Sequence, residues 1–427
     1  MMKPMPRSRR VHYGWVVAGA GFTALLASAA FRAVPGVLMV PLQDEFGWSR
    51  ATISAAVAIN LVVFGISGPF SAALVERVGL RRVVTVALAL IAASAGLTVF
   101  ITQPWQLYLL WGVVTGAATG AVAPVLAAMI ATRWFHERRG LVVGLLTAAN
   151  STGQLIFLPL MSHVEMAGWR WVMLVPAGAA LLALPVAGLL MRDRPADLGI
   201  PPYGGTEIEP ARGGANASNA LAVLFEAART GTFWALAASF FVCGATTVGL
   251  IAVHFIPAAH DHGMPATTAA GMLAVMGILD IAGTTASGWL TDRTDPRRLL
   301  FWYYALRGLS LVLLSNALTT QSYTLVLFVA FYGLDWIATV PPTVALTARR
   351  FGPEKSSIVF GWVFTFHQIG GAAAAWGAGL VRGWQGDYLP VFIASGILCA
   401  IAAVIVLRIP RAPRRPAPLP LTAPATP

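Results

Sequence analysis

Long apolar runs constrain this chain more than any other feature of its sequence. A run of about 20 residues can cross a hydrocarbon core of about 30 Å as a helix. Twelve such runs lie near 13–41, 50–74, 83–102, 104–131, 140–162, 171–191, 232–258, 266–290, 299–319, 323–348, 356–381 and 388–408. Because backbone polar groups find no partner in lipid, each run must be helical. The sequence therefore predicts an all-α membrane protein with twelve transmembrane helices.

The composition agrees with this prediction. Hydrophobic residues make up 57% of the chain and charged residues only 11%, whereas soluble domains carry about 25% charged residues. The two cysteines, Cys243 and Cys399, lie inside apolar runs, which argues against a disulfide framework or a metal cluster. We find no nucleophile–base or metal constellation, so neither an enzyme nor a cofactor or metal site is predicted.

A charged turn occurs twice along the chain. Glu76-Arg77 is followed by Gly79 and two arginines. About half of the 427-residue chain further on, Asp292-Arg293 is also followed by two arginines. Such a long period in an apolar chain indicates two related halves, as in many transporter folds. The predicted segments are a cytoplasmic N-terminus (1–12), a six-helix bundle (13–191), a polar cytoplasmic linker (192–231), a second six-helix bundle (232–408) and a disordered cytoplasmic tail (409–427).

The basic residues predict how the chain is oriented. Most of the 29 Lys and Arg residues fall on the side of the termini, while the other side carries only Arg50, Arg170 and Arg382. Positive residues stay on the cytoplasmic side, so both termini are expected on the cytoplasmic side of a plasma membrane. Lysine is nearly absent, as in proteins of GC-rich bacterial genomes, so a bacterial inner membrane is expected. The basic balance thus reflects orientation in a lipid bilayer rather than nucleic-acid binding.

Four charged residues lie within the predicted spans: Arg32, Arg307, Asp280 and Asp335. Charges at membrane depth are costly and usually face a cavity or a partner. Arg32 is the predicted anion ligand, since its guanidinium fork matches a carboxylate; snorkelling to the interface is its alternative role. Arg307 is predicted to form a structural ion pair with Asp280 or Asp335. The other carboxyl group would then be free to carry a proton.

Uncharged polar groups within the spans complete the predicted substrate site. His367-Gln368 in span 11 corresponds to Asn150-Ser151 in span 5, which suggests a shared central cavity. The predicted substrate-binding residues are Arg32, Asn60, Asn150, Gln154, His367 and Gln368, and the proton-coupling candidates are Asp280 and Asp335. A histidine that hydrogen-bonds to a neighbouring helix remains the alternative for His367.

The repeated charged turn resembles the signature loop of the major facilitator superfamily. The superfamily pattern has Gly four residues before Asp, which Gly288 and Asp292 match, whereas Ala72 and Glu76 occupy those positions in the first copy. The resemblance implies that the turns form a conformational latch, which holds one arrangement of the two halves through ion pairs and helix-dipole contacts. The implied latch residues are Glu76, Arg77, Gly79, Arg81, Arg82, Gly288, Asp292 and Arg293.

Three stretches resemble the monocarboxylate-transporter and oxalate/formate-exchanger branch of that superfamily. They are Gly14-Trp15-Val16-Val17, the outer loop from Pro41 to Arg50, and the stretch from Arg133 to Leu141 followed by Gly144. The branch carries a basic residue late in span 1, within about one position of Arg32. It also carries an Asp and an Arg one turn apart in span 8; Asp280 matches the Asp, but Thr284 stands at the Arg position.

We therefore expect a secondary transporter that binds a small organic anion, a monocarboxylate carried with a proton, and works as a monomer by alternating access. A dicarboxylate or oxalate–formate exchanger is the closest alternative, and it would need a second unpaired cation, which only Arg307 could supply. A major facilitator with unrelated cargo is another. A non-transporting membrane sensor would need an appended signalling domain, and the linker and tail are too short for one.

Overall fold

The structure is a computed structural model. It describes residues 12–208, 217–321 and 323–411, apart from some helical side chains, Glu76, Asn150 and Gln154 among them. The first six long helices are α1 (Tyr13–Phe46), α2 (Arg50–Val78), α3 (Leu80–Thr98), α4 (Pro104–Leu107, Tyr108–Thr115 and Gly116–Trp134), α5 (Arg139–Val164) and α6 (Trp169–Leu190). The last six are α7 (Gly231–Asp261), α8 (Ala266–Arg293), α9 (Pro296–Thr320), α10 (Tyr323–Gly352), α11 (Lys355–Gln385) and α12 (Leu389–Leu407).

Ten of these helices are long and apolar enough to cross a membrane, counted over the described residues. The other two, α4 and α5, occupy the predicted spans 104–131 and 140–162. Large apolar side chains stay exposed along the helices; Leu182, for example, is 75% exposed and Leu189 67%. Such an apolar surface suits contact with lipid rather than water. The chain is an integral membrane protein.

The connections within each set of six helices are short. The predicted outer loop from Pro41 to Arg50 is mostly helix, because α1 continues to Phe46 and ends at Gly47, which has a φ of 67°. Ser49 then caps α2 by accepting a hydrogen bond from the Thr52 N–H group. Between α6 and α7, the described residues include a 3-10 turn at Pro195–Leu198 and a linker helix at Ala217–Ala227. A further 3-10 turn, Glu165–Ala167, precedes α6.

Contacts between the first and the last six helices place the centre of the molecule. Helix α2 packs along α11, α5 packs along α8, and α1 contacts α7. By contrast, α3 packs mainly on α6 and α9 on α12, which leaves these four helices at the periphery. We call the end of the bundle where α1 begins and α12 ends the terminal face, and the opposite end the distal face.

Helix α10 is broken near the middle. Regular helix ends at Asp335 and resumes at Val340, immediately before Pro341-Pro342. Proline lacks a backbone N–H group and suits the first turn of a helix, so the pair favours a new helix start at this point. Backbone groups freed by the break require other partners inside a membrane.

Candidate functional site

Two adjoining cavities lie between the two sets of six helices. The larger has a volume of about 280 Å³ and the smaller about 80 Å³. They share four lining residues: Arg32, Phe64, Val248 and Gln368. Leu25 and Leu146 extend the larger cavity towards the terminal face, while Pro35 and Val57 place the smaller one on the distal side. Arg32 therefore lies at the boundary between two compartments on the central axis.

Arg32 is partly buried and carries the positive charge of the cavities. Its guanidinium carbon lies 4.9 Å from the centroid of the Phe64 ring, a cation–π distance. Within the described part of the chain, no carboxylate pairs with it. Ser28 lies one helical turn earlier on α1 and also lines the larger cavity; its buried Oγ has no hydrogen-bond partner among the described residues. The pair offers charged and neutral donors to an anion.

His367 and Gln368 bring polar atoms from α11. Both side chains are buried, at 8% and 3% exposure, and both line the larger cavity. His367 Nδ1 and Gln368 Oε1 have no hydrogen-bond partner among the described groups. Buried polar atoms are normally satisfied, so such atoms at a cavity wall point to a ligand or water as their partner. The structure thus brings His367 and Gln368 to the same cavity as Arg32.

Asn60 lies in the wall of the smaller cavity only. Its Nδ2 donates to the Trp111 carbonyl oxygen at 2.6 Å. Trp111 belongs to the π-helical stretch Tyr108–Thr115 of α4, where some carbonyl groups leave the α-helical pattern. Asn60 thereby supports the backbone of α4 beside the site. The side chains of Asn150 and Gln154 lie outside the described residues.

Arg307 forms a buried ion pair with Asp335. Its Nε lies 2.6 Å from Asp335 Oδ2, and its Nη2 donates to the Asp335 carbonyl oxygen at 2.5 Å. Its Nη1 lies 3.1 Å from Cys243 Sγ, and Cys243 lines the larger cavity. One arginine thus neutralises a carboxylate and binds a carbonyl group freed by the break in α10.

Asp280 is hydrogen-bonded to the backbone on the other side of the break in α10. Its Oδ1 accepts hydrogen bonds from the Ile337 N–H group at 2.9 Å and from the Thr284 hydroxyl at 2.9 Å. Asp280 is 3% exposed, and Ile337 lines the larger cavity. Both candidate proton carriers therefore lie directly behind the cavity wall, each attached to the α10 break.

A second charged cluster, whose pairing the sequence does not indicate, joins the two sets of helices at the distal face. Arg50 of α2 makes two hydrogen bonds of 2.7 Å to the carboxylate of Asp261 at the end of α7. Arg382 Nε donates to Asp261 at 2.8 Å, and Arg50 also donates to the Tyr388 hydroxyl at 3.1 Å. The Tyr388 hydroxyl lies 3.0 Å from His254 Nδ1. We call these five residues the distal cluster; it joins the first six helices to the last six.

Burial sets the protonation of the tyrosine in the distal cluster. It raises the pKa of Tyr388 to about 12, although the neighbouring Arg50 opposes the shift. The phenol therefore stays protonated near neutral pH and can donate to His254 Nδ1 while it accepts from Arg50. In the sequence, Arg50, Arg382 and Asp261 are visible only as isolated charges on the predicted outer side. Their pairing depends on the fold.

The charged turns lie at the terminal face. Arg77, Arg81 and Arg82 are exposed, and the Glu76 side chain lies outside the described residues. Gly79 has a φ of 98°, and the Arg81 N–H group donates to Asp193 Oδ1 at 2.8 Å within the same set of six helices.

In the second turn, Asp292 and Arg293 are exposed and the guanidinium of Arg293 stacks on Trp289 at 4.2 Å. A Cβ atom at Gly288 would meet nothing within 4 Å. Among the described side chains of the two turns, no ion pair crosses between the sets of helices. Over all residues that the structure describes, no group of three or more His, Cys, Asp or Glu side chains could hold a metal ion.

Comparison with curated proteins shows full-length relatives. The chain is 29% identical over 413 residues to monocarboxylate transporter 11 of Mus musculus, covering 94% of this chain and 88% of the relative. It is 28% identical to monocarboxylate transporter 13 of Rattus norvegicus, with 93% and 89% covered. It is also 25% identical to an uncharacterised MFS-type transporter, YcxA, of Bacillus subtilis, with 95% and 96% covered.

Solved structures share the fold at low sequence identity. A D-xylose–proton symporter superposes with a TM-score of 0.72 at 15% identity, covering 94% of this chain and 98% of the other. A bacterial homologue of the human lysosomal transporter Spinster gives 0.71 at 14% identity, with 93% and 97% covered. Residues 21–375 match the family described as Major Facilitator Superfamily. The chain therefore belongs to the Major Facilitator Superfamily and is a membrane transporter, not an enzyme.

Proposed function

We propose that this transporter carries a small monocarboxylate together with a proton by alternating access. The observation that carries the proposal is Arg32, a guanidinium at the boundary of two central cavities that pairs with no described carboxylate. A carboxylate cargo would supply the missing negative charge and a planar partner for the guanidinium fork. The relatives named monocarboxylate transporters, 25–29% identical over more than nine-tenths of the chain, support the same cargo class.

The proton would travel on Asp280. Arg307 already neutralises Asp335, so Asp335 needs no proton to remain buried. Asp280 accepts a hydrogen bond from the N–H group of Ile337, a residue of the cavity wall. Protonation of Asp280 would weaken this hydrogen bond and loosen the α10 break next to the cargo. Cargo binding and proton binding would then be linked through one backbone group.

Alternating access would use the two faces in turn. The distal cluster closes one face across the two sets of helices, and the larger cavity extends towards the other. The charged turns would hold the terminal face closed in the opposite conformation, where their residues would form the ion pairs. By the positive-inside rule the terminal face would be cytoplasmic. A single chain would suffice, because both cavities lie within it.

An anion exchanger for dicarboxylates is less well supported. Two carboxylates would require two available cations, and the second candidate, Arg307, is held by Asp335 and by backbone carbonyl groups. A proton symporter for a single carboxylate requires only Arg32 and one titrating acid. The charges around the cavities thus favour the monocarboxylate.

Uptake into proteoliposomes tests this proposal. Labelled lactate, pyruvate and longer monocarboxylates would be compared with succinate and oxalate, with and without an inward proton gradient. We expect accumulation of monocarboxylates that depends on the gradient, and none of the uncharged amide of the same acid. Exchange of dicarboxylates without any response to the gradient would favour the exchanger. The absence of uptake for every acid would contradict the proposal.

A further inference from the structure

The larger cavity is lined by aromatic rings to an extent that a three-carbon acid does not require. Phe64 comes from α2, and Phe240, Trp336, Phe364 and His367 come from α7, α10 and α11. The volume of about 280 Å³ is several times the roughly 30 Å³ that one water molecule occupies in liquid water. A carboxylate bound at Arg32 would therefore have room for a large substituent beside these rings.

The rings form a continuous path that starts at the cation. Phe64 lies under the Arg32 guanidinium and contacts Phe364 edge-to-face, with centroids 6.1 Å apart at 64°. Phe364 stacks on His367 at 5.4 Å and 8°, and His367 contacts Phe240 at 4.7 Å. Aromatic pairs prefer such edge-to-face and offset arrangements, which contribute binding energy beyond that of the area they bury. The path offers faces and edges to a planar group attached to the carboxylate.

The guanidinium charge lies at the Arg32 end of this path, while His367 Nδ1 is a further polar atom along it. Ser28 Oγ and Gln368 Oε1, which lack described partners, belong to the residues beside Arg32 in the cavity wall. The rest of the wall combines apolar residues, Leu25, Ala127 and Leu146 among them, with the uncharged side chains of Cys243 and Thr247. A ligand with one charged end and one apolar planar end matches this division.

We propose that the cargo is an aromatic monocarboxylate, an acid whose ring lies against Phe64, Phe364 and His367 while its carboxylate binds Arg32. This inference rests on the proposed function and narrows it from monocarboxylates in general to those with an aryl group. Trp336 and Phe240 would close the far side of the ring site.

Ligand-induced shifts in the unfolding temperature of the purified full chain test this without relying on transport. Three acids of equal charge serve as probes: phenylacetate, cyclohexylacetate and acetate, with 2-phenylethanol as the uncharged aromatic control. A ligand that binds only the folded state raises stability in proportion to ln(1 + [L]/Kd). We expect phenylacetate to bind at least about ten-fold more tightly than cyclohexylacetate, and more tightly still than acetate.

Two variants separate a ring site from general hydrophobic binding. Phe364→Leu should remove the preference for phenylacetate over cyclohexylacetate. Phe328→Leu is the matched control, since Phe328 stacks on Phe255 rather than lining either cavity; it should keep the preference.

The outcomes distinguish this inference from the proposed function. Equal affinities for phenylacetate and cyclohexylacetate would overturn the aromatic inference and leave the monocarboxylate proposal intact. Binding of 2-phenylethanol as tight as that of phenylacetate would contradict the proposed function and the inference together, because no carboxylate would be needed. The same holds if no acid shifts the unfolding temperature.

Discussion

Arg307 Nε lies 2.6 Å from Asp335 Oδ2, and the same guanidinium donates to the Asp335 carbonyl oxygen at 2.5 Å. Both side chains are buried, at 0% and 8% exposure. On the other side of the same break, Asp280 accepts a hydrogen bond from the Ile337 N–H group. The interrupted helix α10 is thus held by a cation at its carbonyl groups and by a carboxylate at an amide group. This arrangement gives hydrogen-bond partners to backbone groups that the break in the helix leaves unpaired inside a membrane.

Removing one member of the buried pair should destabilise the protein more than removing both. Arg307→Met would leave the Asp335 carboxylate buried without its cation, which costs about 3–5 kcal/mol. The double variant Arg307→Met with Asp335→Leu should recover most of that loss. Thermal unfolding in detergent measures both. Equal stability of the single and double variants would show that the two side chains are not coupled.

Asp280→Asn should separate cargo binding from proton coupling. The amide oxygen can still accept from Ile337, but the group can no longer titrate. We expect exchange of labelled acid across the membrane to persist, while accumulation driven by a proton gradient is lost. Asp335→Asn is the matched comparison. If it, rather than Asp280→Asn, abolishes accumulation but keeps exchange, the proton carrier is Asp335.

The distal cluster should control access from the distal face. Arg50→Gln removes the pairing with Asp261 across the two sets of helices, and coupled pairs of this kind contribute about 0.5–3 kcal/mol. The expected result is faster labelling by an impermeant thiol reagent of a cysteine introduced at Val57, which lines the smaller cavity. Cys243→Ser and Cys399→Ser provide the background.

Arg170→Gln is the control for that experiment. It breaks the exposed pair with Glu45, at 2.7 Å, which lies on the same face but within the first six helices. Its labelling rate should match that of the parent. An unchanged rate in Arg50→Gln would mean that the distal cluster does not hold this face closed.

Because α7 packs closely on α11, a single methyl group added at Gly244 should destabilise the protein. A Cβ atom at Gly244 would lie 1.7 Å from the His367 carbonyl oxygen, a backbone atom that cannot rotate away. Gly244→Ala should therefore cost about 1–3 kcal/mol or more and lower the unfolding temperature. At Gly377, also on α11, a Cβ atom meets nothing within 4 Å, so Gly377→Ala should be neutral. A neutral Gly244→Ala would contradict this helix contact.

The sequence predicted the apolar spans because lipid imposes a strong and local requirement on each of them. It also singled out Arg32, Arg307 and Asp335, since a charge within an apolar run is conspicuous. The distal cluster was missed because its members are separated by up to 338 residues, the distance along the chain from Arg50 to Tyr388. Only the folded chain brings these ends together.

Aromatic residues at the site were equally hard to foresee. Phe64 and Phe364 lie in apolar helices where phenylalanine is ordinary, and no pattern distinguishes a cavity wall from a core. Ser28 had a usable signal, since it lies four residues before Arg32 and so on the same helical face. The open choice between Asp280 and Asp335 as the partner of Arg307 required distances, which favour Asp335.

The most direct test of the account is gradient-driven uptake of monocarboxylate by Arg32→Gln beside the parent protein, with Arg170→Gln as a control for loss of an arginine. We expect accumulation to fall to background in Arg32→Gln, to be partly retained in Arg32→Lys because a cation remains, and to be unchanged in Arg170→Gln. Accumulation by Arg32→Gln at the rate of the parent would contradict the claim that Arg32 binds the carboxylate.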